Sequence, residues 1–153
     1  MLAELRKAPI TLEEALESLN RNGAGAVVTM CGLSRPTDAE GTPLSHLDYE
    51  AYREMAERQM EAICSETRRR WPIIDIVMLH RVGSVGIGEP SVIIVVASAH
   101  RREAFYACQF AIDKLKETVP IWKEEVPLQT ASSGSAKGSI GRPSGSDSKN
   151  KRP

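Results

Sequence analysis

Three segments of the chain repeat apolar side chains with the 3.6-residue period of amphipathic helices. Their predicted bounds are Leu12 to Asn22, Arg53 to Arg70 and Arg102 to Thr118. The first segment begins with a capping box from Thr11 to Glu14, and the other two stop at Pro72 and Pro120. On the same periodicity, the third helix should bury Phe105 in the core.

Four other segments are apolar runs or alternate apolar with polar residues, as strands do. They are Gly25 to Cys31, Ser45 to Tyr52, Ile73 to Leu79 and Ser91 to Ala99. The stretch from His80 to Pro90 holds three glycines and predicts a turn or bulge between two strands. The order of elements predicts a single α+β domain, with a mixed or antiparallel sheet and helices packed on one side.

The chain divides by composition into residues 1–127 and a Ser-, Gly- and Lys-rich tail, 128–153, which we predict to be disordered. The tail holds five basic residues and one acidic residue, so residues 1–127 carry a net charge of −4. Broad basic surfaces bind nucleic acid without sequence preference, and this domain has none. We therefore expect no nucleic-acid partner.

The three cysteines are an odd number without C-x-x-C spacing, so we expect neither disulfides nor a zinc site. No His and acidic residues have metal-ligand spacing, no nucleotide-binding loop occurs, and we expect no cofactor. No apolar run reaches the roughly 20 residues of a membrane span, and the first residues lack signal-peptide character. These observations favour a cytosolic protein without a membrane partner.

Cationic residues lie at both ends of the third predicted helix. His100 and Arg101 stand where a buried strand passes into that helix, and a helix start attracts anions. Alternatively, His100 caps the helix and Arg101 pairs with a surface acid such as Glu103 or Glu89. At the other end, Lys116 and Lys123 flank a connector that could hold both near one cleft, where a lysine can act as acid or base. Solvated surface lysines are the other interpretation.

The length of this helix separates the two cationic pairs. Arg101 and Lys116 are 15 residues apart, which is roughly 22 Å at 1.5 Å per residue. If both pairs serve one small substrate, the site must be shared between two protomers, and a twofold homodimer is the commonest way to do so.

The remaining candidate residues have weaker signals. Cys64 and Cys108 lie on apolar helix faces and should be core residues, whereas Cys31 ends a strand and could be a reactive thiol. His80 and Arg81 could bind an anion, although a solvated turn is the simpler interpretation. His46 has no partner in the sequence and is interpreted as structural.

Several of these segments together resemble one family, the large catalytic subunits of molybdopterin synthase. The motifs occur in order between Gly23 and Glu125. They are Gly25-Ala-Val-Val with Gly32 and Arg35, Leu47-Asp-Tyr-Glu-Ala-Tyr52, His80-Arg-Val-Gly83, Ser98-Ala-His-Arg101, and Lys116 with Pro120-Ile-Trp-Lys-Glu124. The chain departs from the family's usual sequence at two places. The residues before Gly32 lack the usual aromatic, and Pro36 follows Arg35 where Asn or Asp is common.

The resemblance implies an α/β-hammerhead-like fold and sulfur transfer to cyclic pyranopterin monophosphate. The sulfur would come from the C-terminal Gly-Gly thiocarboxylate of a small ubiquitin-like subunit, in a heterotetramer built around a dimer of this chain. By resemblance, Lys116 is the catalytic lysine, Lys123 is the second pocket lysine, and His100, Arg101 and Arg35 bind substrate. After Val126, the tryptophan-containing segment usual in the family is replaced by Ser- and Gly-rich sequence.

Two competing functions remain open at this point. One is a non-catalytic α+β module that binds a small anionic ligand through His100 and Arg101. The other is a sulfurtransferase that carries a persulfide on Cys31. Loss of sulfur transfer in Lys116→Ala would favour the molybdopterin synthase activity that the resemblance implies. Loss of activity in Cys31→Ala would favour the persulfide carrier.

Overall fold

The computed structural model describes residues 1–129 as seven strands and three helices. In chain order they are β1 (Leu2–Arg6), α1 (Leu12–Ser18), β2 (Ala26–Leu33), β3 (Leu44–Ala51), α2 (Arg53–Arg70), β4 (Ile73–Arg81), β5 (Gly83–Gly86), β6 (Pro90–Ser98), α3 (Arg101–Thr118) and β7 (Ile121–Pro127). All three predicted helices and all four predicted strands are present, and the α+β class is confirmed. Apart from its first two residues, the predicted tail lies outside the described residues and stays a prediction.

The strands form two sheets. One has four strands in the order β1-β4-β6-β2, in which β1 is parallel to β4 and the other two pairs are antiparallel. The other has three antiparallel strands in the order β5-β3-β7. The sequence had predicted only a turn where β5 lies, and it did not predict β1 or β7.

The helices cover both faces of the four-stranded sheet, so the prediction that they lie on one side is wrong. Helices α2 and α3 pack on the face that carries Ile76 and Ile94. Helix α1 packs on the opposite face through Ala15 against Val77 and Val95. The central strands β4 and β6 are apolar at nearly every position, and a sheet of that kind must be covered on both faces.

The ends of the helices follow from local chemistry. At the start of α1 the Thr11 hydroxyl accepts a hydrogen bond from the Glu14 backbone N–H, and the Glu14 carboxylate accepts one from the Thr11 N–H, both at 3.1 Å. Helix α2 ends where Trp71 adopts an extended conformation before Pro72. Phe105, predicted to be buried on α3, is instead 60% exposed.

Candidate active site

The structure brings three of the predicted cationic residues together. Lys116 from the last turn of α3, Lys123 from β7 and Arg35 from the loop after β2 line one cavity of about 190 Å³. Its walls come from both sheets, with Leu47 of β3 and Val92 of β6 among the lining residues. A site between the two sheets can surround a small substrate with cations, and the three cationic side chains keep contact with solvent.

The turn after α3 brings the two lysines to one side of the molecule. The helix ends at Val119 and Pro120, and β7 then pairs antiparallel with β3, which places Lys123 opposite Tyr49. A backbone hydrogen bond of 3.3 Å from the Tyr52 N–H to the Pro120 carbonyl holds this turn against the start of α2. Lys116 and Lys123 therefore share the cavity although six residues separate them in the chain.

Arg35 is held in place through its neighbours. The Ser34 N–H donates to the Glu89 carbonyl at 3.1 Å, and the Ser34 carbonyl accepts from the Gly88 N–H at 2.9 Å. On the other side, the Pro36 carbonyl accepts from the Leu44 N–H at 2.8 Å. The backbone on both sides of Arg35 is thus tied to structured turns, which directs this loop to the lysine cavity even with proline after the arginine.

The charge in the cavity is only partly compensated. The Lys123 ammonium lies 3.6 Å from the Glu125 carboxylate, whereas neither Lys116 nor Arg35 forms an ion pair within residues 1–129. Lys116 keeps contact with solvent, yet desolvation by the surrounding protein, and then the charge of Lys123, lower the pKa of its ammonium group. A lysine in this environment can give up its proton more readily than an ordinary surface lysine.

His100 and Arg101 lie in a separate, open cavity of about 370 Å³ at the start of α3. His100 occupies the N-cap position with an extended backbone but makes no side-chain hydrogen bond to the helix. The interpretation that His100 caps the helix is therefore right about its position, but its side chain provides no cap. The first N–H groups of α3 receive no side-chain cap and can bind an anion together with the Arg101 guanidinium.

The acids suggested as partners of Arg101 do not bind it. Glu89 instead accepts a hydrogen bond from Arg81 at 2.8 Å, and no ion pair of Arg101 with Glu103 occurs in the described part of the chain. Gly25 also lines this cavity, and a β-carbon at this position would lie 2.3 Å from the Ala99 carbonyl oxygen. Close contact of the two backbones at this point thus requires glycine.

Two further residues lie beside the lysines: Tyr49 had no predicted role in the site, and His80 was predicted only as a possible anion-binding residue. Tyr49 and His80 line a neighbouring cavity of about 220 Å³ that also includes Lys116 and Lys123. His80 and Arg81 are 2% and 7% exposed, so the interpretation of a solvated turn is wrong. His80 and Arg81 are the last two residues of β4. The glycine turn follows so closely that the sequence pattern does not show that the strand continues through them.

The three cysteines differ in burial. Cys64 and Cys108 are buried as predicted, and burial raises the pKa values of their thiols to about 12 and about 11. Cys31 is exposed, and partial burial raises the pKa of its thiol as well. Residues 1–129 contain no group of three or more His, Cys, Asp or Glu side chains arranged to hold a metal ion.

Comparison with known proteins identifies the family. A family model described as MoaE protein matches residues 5–118, three quarters of the chain. The chain belongs to this family. The molybdopterin synthase catalytic subunit of Thermoplasma volcanium is 42% identical over 123 residues, which are 80% of this chain and 89% of that protein. The resemblance seen in the sequence is therefore confirmed, and the chain is an enzyme of molybdenum cofactor biosynthesis, a molybdopterin synthase catalytic subunit.

Solved structures of this family have the same fold. The crystal structure of molybdopterin synthase from Staphylococcus aureus matches with a TM-score of 0.77 and 36% identity, over 83% of this chain and 92% of that one. A complex of subunits 1 and 2 of molybdopterin-converting factor from Helicobacter pylori matches with a TM-score of 0.67 at 19% identity, over 89% and 98% of the two chains. The second likeness shows the fold alone.

None of the helices described over residues 1–129 is both long and apolar enough to cross a membrane.

Proposed function

We propose that this MoaE-family chain transfers sulfur from the C-terminal thiocarboxylate of a small ubiquitin-like partner to cyclic pyranopterin monophosphate. The observation that supports this most strongly is the cavity shared by Lys116, Lys123 and Arg35, in which one lysine has a lowered pKa. Because sulfur comes from the partner in this scheme, the chain needs no reactive cysteine of its own. A cytosolic location, expected from the sequence, is part of the proposal.

The reaction assigns different tasks to the cationic residues. Sulfur must replace oxygen on two adjacent side-chain carbons of the substrate while the cyclic phosphate opens. Arg35, Arg101 and His100 would stabilise the negative charge that develops on the phosphate. Lys116 would donate or accept a proton at the thiocarboxylate carbonyl, and Lys123 would keep its pKa low.

The two groups of cations cannot reach one substrate within one chain. They lie in separate cavities, and Arg101 and Lys116 are separated by nearly the full length of the 18-residue helix α3. We therefore infer that the site is completed by a second copy of the chain. The start of α3 in one protomer would face the lysine cavity of the other.

The edge strand β2 offers a surface on which two copies could join in this way. Its first residue pairs with Ser98, two residues before His100, and its last residues line the lysine cavity. At about 3.3 Å per residue, its eight residues span roughly 26 Å, close to the separation along α3. An antiparallel pair of β2 strands about a twofold axis would therefore bring each helix start to the other protomer's lysines.

Some of the exposed apolar side chains lie on β2 and near the start of α3. The outer face of β2 carries Val27 and Leu33, which are 38% and 57% exposed. Phe105 follows Arg101 by one helical turn and is also exposed. Apolar exposure along an unpaired strand edge favours an interface between copies of the chain.

The partner belongs to the proposal as well. The Helicobacter pylori structure is a complex of two subunits, and we propose that this chain likewise binds a small subunit, giving a heterotetramer around its own dimer. The partner's extended Gly-Gly tail would enter the cavity beside Lys116 and Lys123. The tryptophan-containing segment usual in the family is replaced after Val126, so we propose that the affinity for the partner differs from that of other family members.

One reconstitution tests this function. The purified chain is incubated with a thiocarboxylated small subunit and cyclic pyranopterin monophosphate, and dithiolene product is measured; the matched control uses a small subunit that ends in an ordinary carboxylate. Product that depends on the thiocarboxylate supports the proposal. Binding of the phosphate without product would instead favour the non-catalytic anion-binding module.

A further inference from the structure

His80 is a buried histidine that shares a cavity with the proposed catalytic lysine. It is 2% exposed at the end of β4 and lines the cavity of about 220 Å³ together with Lys116, Lys123 and Tyr49. Buried histidines must satisfy their ring nitrogens or leave one directed at a cavity. Which nitrogen of His80 carries the proton therefore decides what this ring can do.

The neighbouring backbone determines the tautomer of His80. Its Nδ1 lies 2.7 Å from the Arg81 carbonyl oxygen, and a carbonyl oxygen can only accept a hydrogen bond. Nδ1 must therefore carry the hydrogen, which leaves Nε2 of the neutral ring as an acceptor. Burial, together with the nearby charge of Lys116, lowers the pKa of His80 to about 4 although the Arg81 carbonyl opposes this, so the ring is neutral near pH 7.

The orientation of the ring is constrained from a second side. Tyr49 contacts His80 edge-to-face, with ring centroids 5.3 Å apart and an interplanar angle of 71°. Tyr49 itself lines both lysine cavities. The ring is thus held between the Arg81 carbonyl and Tyr49, and it can present Nε2 to the cavity in one direction only.

Among the charged groups around His80, Lys116 is the donor without a partner. Arg81, on the same strand, binds Glu89 at 2.8 Å, and Lys123 of β7 lies 3.6 Å from Glu125. Lys116 of α3 makes no hydrogen bond or ion pair with other residues of 1–129. A neutral acceptor beside an uncompensated ammonium group can bind it without taking its proton.

We propose that His80 is a positioning residue for Lys116, whose ammonium group donates to His80 Nε2 and is thereby held over the cavity. This inference rests on the proposed function of Lys116. The two groups are not hydrogen-bonded in the structure, so the contact forms by rotation of the flexible lysine side chain or through one water molecule. The bond stabilises the charged form of Lys116 and partly offsets the effects of burial and Lys123.

Two substitutions separate the roles of the two ring nitrogens. His80→Asn keeps an amide N–H close to the Nδ1 position and removes the acceptor, whereas His80→Gln places an amide oxygen close to the Nε2 position. We expect kcat of His80→Asn to fall roughly tenfold with little change in KM, as for loss of one hydrogen bond to a charged group. Its Lys116 titration should move to lower pH, because the ammonium loses an acceptor. His80→Gln should restore most of both properties.

The Lys116 titration is read in two ways, from the pH dependence of kcat and from pH-dependent acetylation with acetic anhydride followed by mass spectrometry. Lys114, which is partly exposed and pairs with Glu117, is the internal reference for acetylation. The proposal is overturned if Lys116 titrates at the same pH in His80→Asn as in the wild type. It is also overturned if the activity losses of both variants follow only the fall in their melting temperatures.

A measurement on the unmodified chain does not depend on whether the variants fold. Nitrogen-15 NMR of the histidine rings should show one of the three as a neutral ring protonated at Nδ1, which does not titrate between pH 5 and 8. A ring protonated at Nε2 at this position would contradict the proposal. If the wild type forms no dithiolene product, the proposed function fails, whereas the acetylation and NMR results still decide the contact between His80 and Lys116.

Discussion

The two cationic groups at the ends of α3 differ in how the chain encloses them. Lys116 and Lys123 lie between the two sheets, close enough that the charge of one lowers the pKa of the other. His100 and Arg101 lie in a more open cavity at the helix start, beside Gly25. All four side chains are exposed, so the two groups differ in the cavity around them and not in their exposure. The enclosed group has the environment for proton transfer, and the open group has the environment for anion binding. We propose that each group is half of one shared site, because the length of α3 keeps the two groups apart within one chain.

Removal of the lysine in the enclosed half should have the largest effect. Lys116→Ala is expected to lower dithiolene formation roughly 10²- to 10⁴-fold, the range for loss of a general acid or base. Lys116 is exposed, so the melting temperature should stay close to that of the wild type. Lys114→Ala, two residues away on the same helix, is the matched control and should keep nearly full activity. Equal activity of the two variants would contradict the assignment of Lys116.

Disruption of the proposed dimer, which separates the two halves of the site, should also cause a large loss of activity. Thr29→Arg places a charge in the middle of the exposed face of β2, so two copies would meet with like charges at the proposed twofold axis. We expect a monomer by sedimentation and a roughly 10- to 100-fold loss of activity. Ser65→Arg, on the exposed surface of α2, is the control and should leave both unchanged. A Thr29→Arg dimer with normal activity would place the interface elsewhere.

A change of charge inside the enclosed half should shift a pH profile. Lys123→Met removes the neighbouring charge that helps to lower the pKa of Lys116, so that pKa should rise. The limb of the activity profile that reports Lys116 should then move to higher pH, with an activity loss of roughly tenfold near pH 7. Lys123→Arg keeps the charge and should leave the limb in place. Movement of the limb to lower pH would contradict the proposed coupling.

The smallest effect is expected at the exposed cysteine. The pKa of the Cys31 thiol is raised by burial, so little thiolate is present at neutral pH. Cys31→Ala should therefore keep activity within about twofold of the wild type, since no step of the proposed reaction uses this thiol. The assay is the same dithiolene measurement. Loss of activity in this variant would instead support a persulfide carried on Cys31.

Much of the fold was predictable because its long elements have unambiguous periods and ends. Helix α2 has the predicted bounds, since Trp71 and Pro72 stop it. Strand β7 was missed because three of its seven residues are charged and its partner β3 lies about 70 residues earlier in the chain. Strand β5 was missed because its glycines resemble a turn, and its pairing with β3 is a tertiary effect.

The candidate site was predictable in its residue types but not in its grouping. Helix length alone separated Arg101 from Lys116, and the structure keeps them in different cavities. That Arg35 lies with the lysines depends on hydrogen bonds between Ser34 and a turn more than 50 residues away, which no local pattern records. His80 was considered only as a possible anion-binding residue, because no local pattern shows that it is buried and in contact with Tyr49.

The shared site is tested most directly by a heterodimer of two inactive variants. Arg101→Ala and Lys116→Ala chains with different affinity tags are expressed together and purified through both tags, so that each dimer contains one of each. Such a dimer has one intact site, with Lys116 from one chain and Arg101 from the other, and one doubly defective site. We predict about half of the wild-type activity per dimer, while each variant alone stays nearly inactive. A heterodimer no more active than the two separate variants would contradict a site shared between protomers.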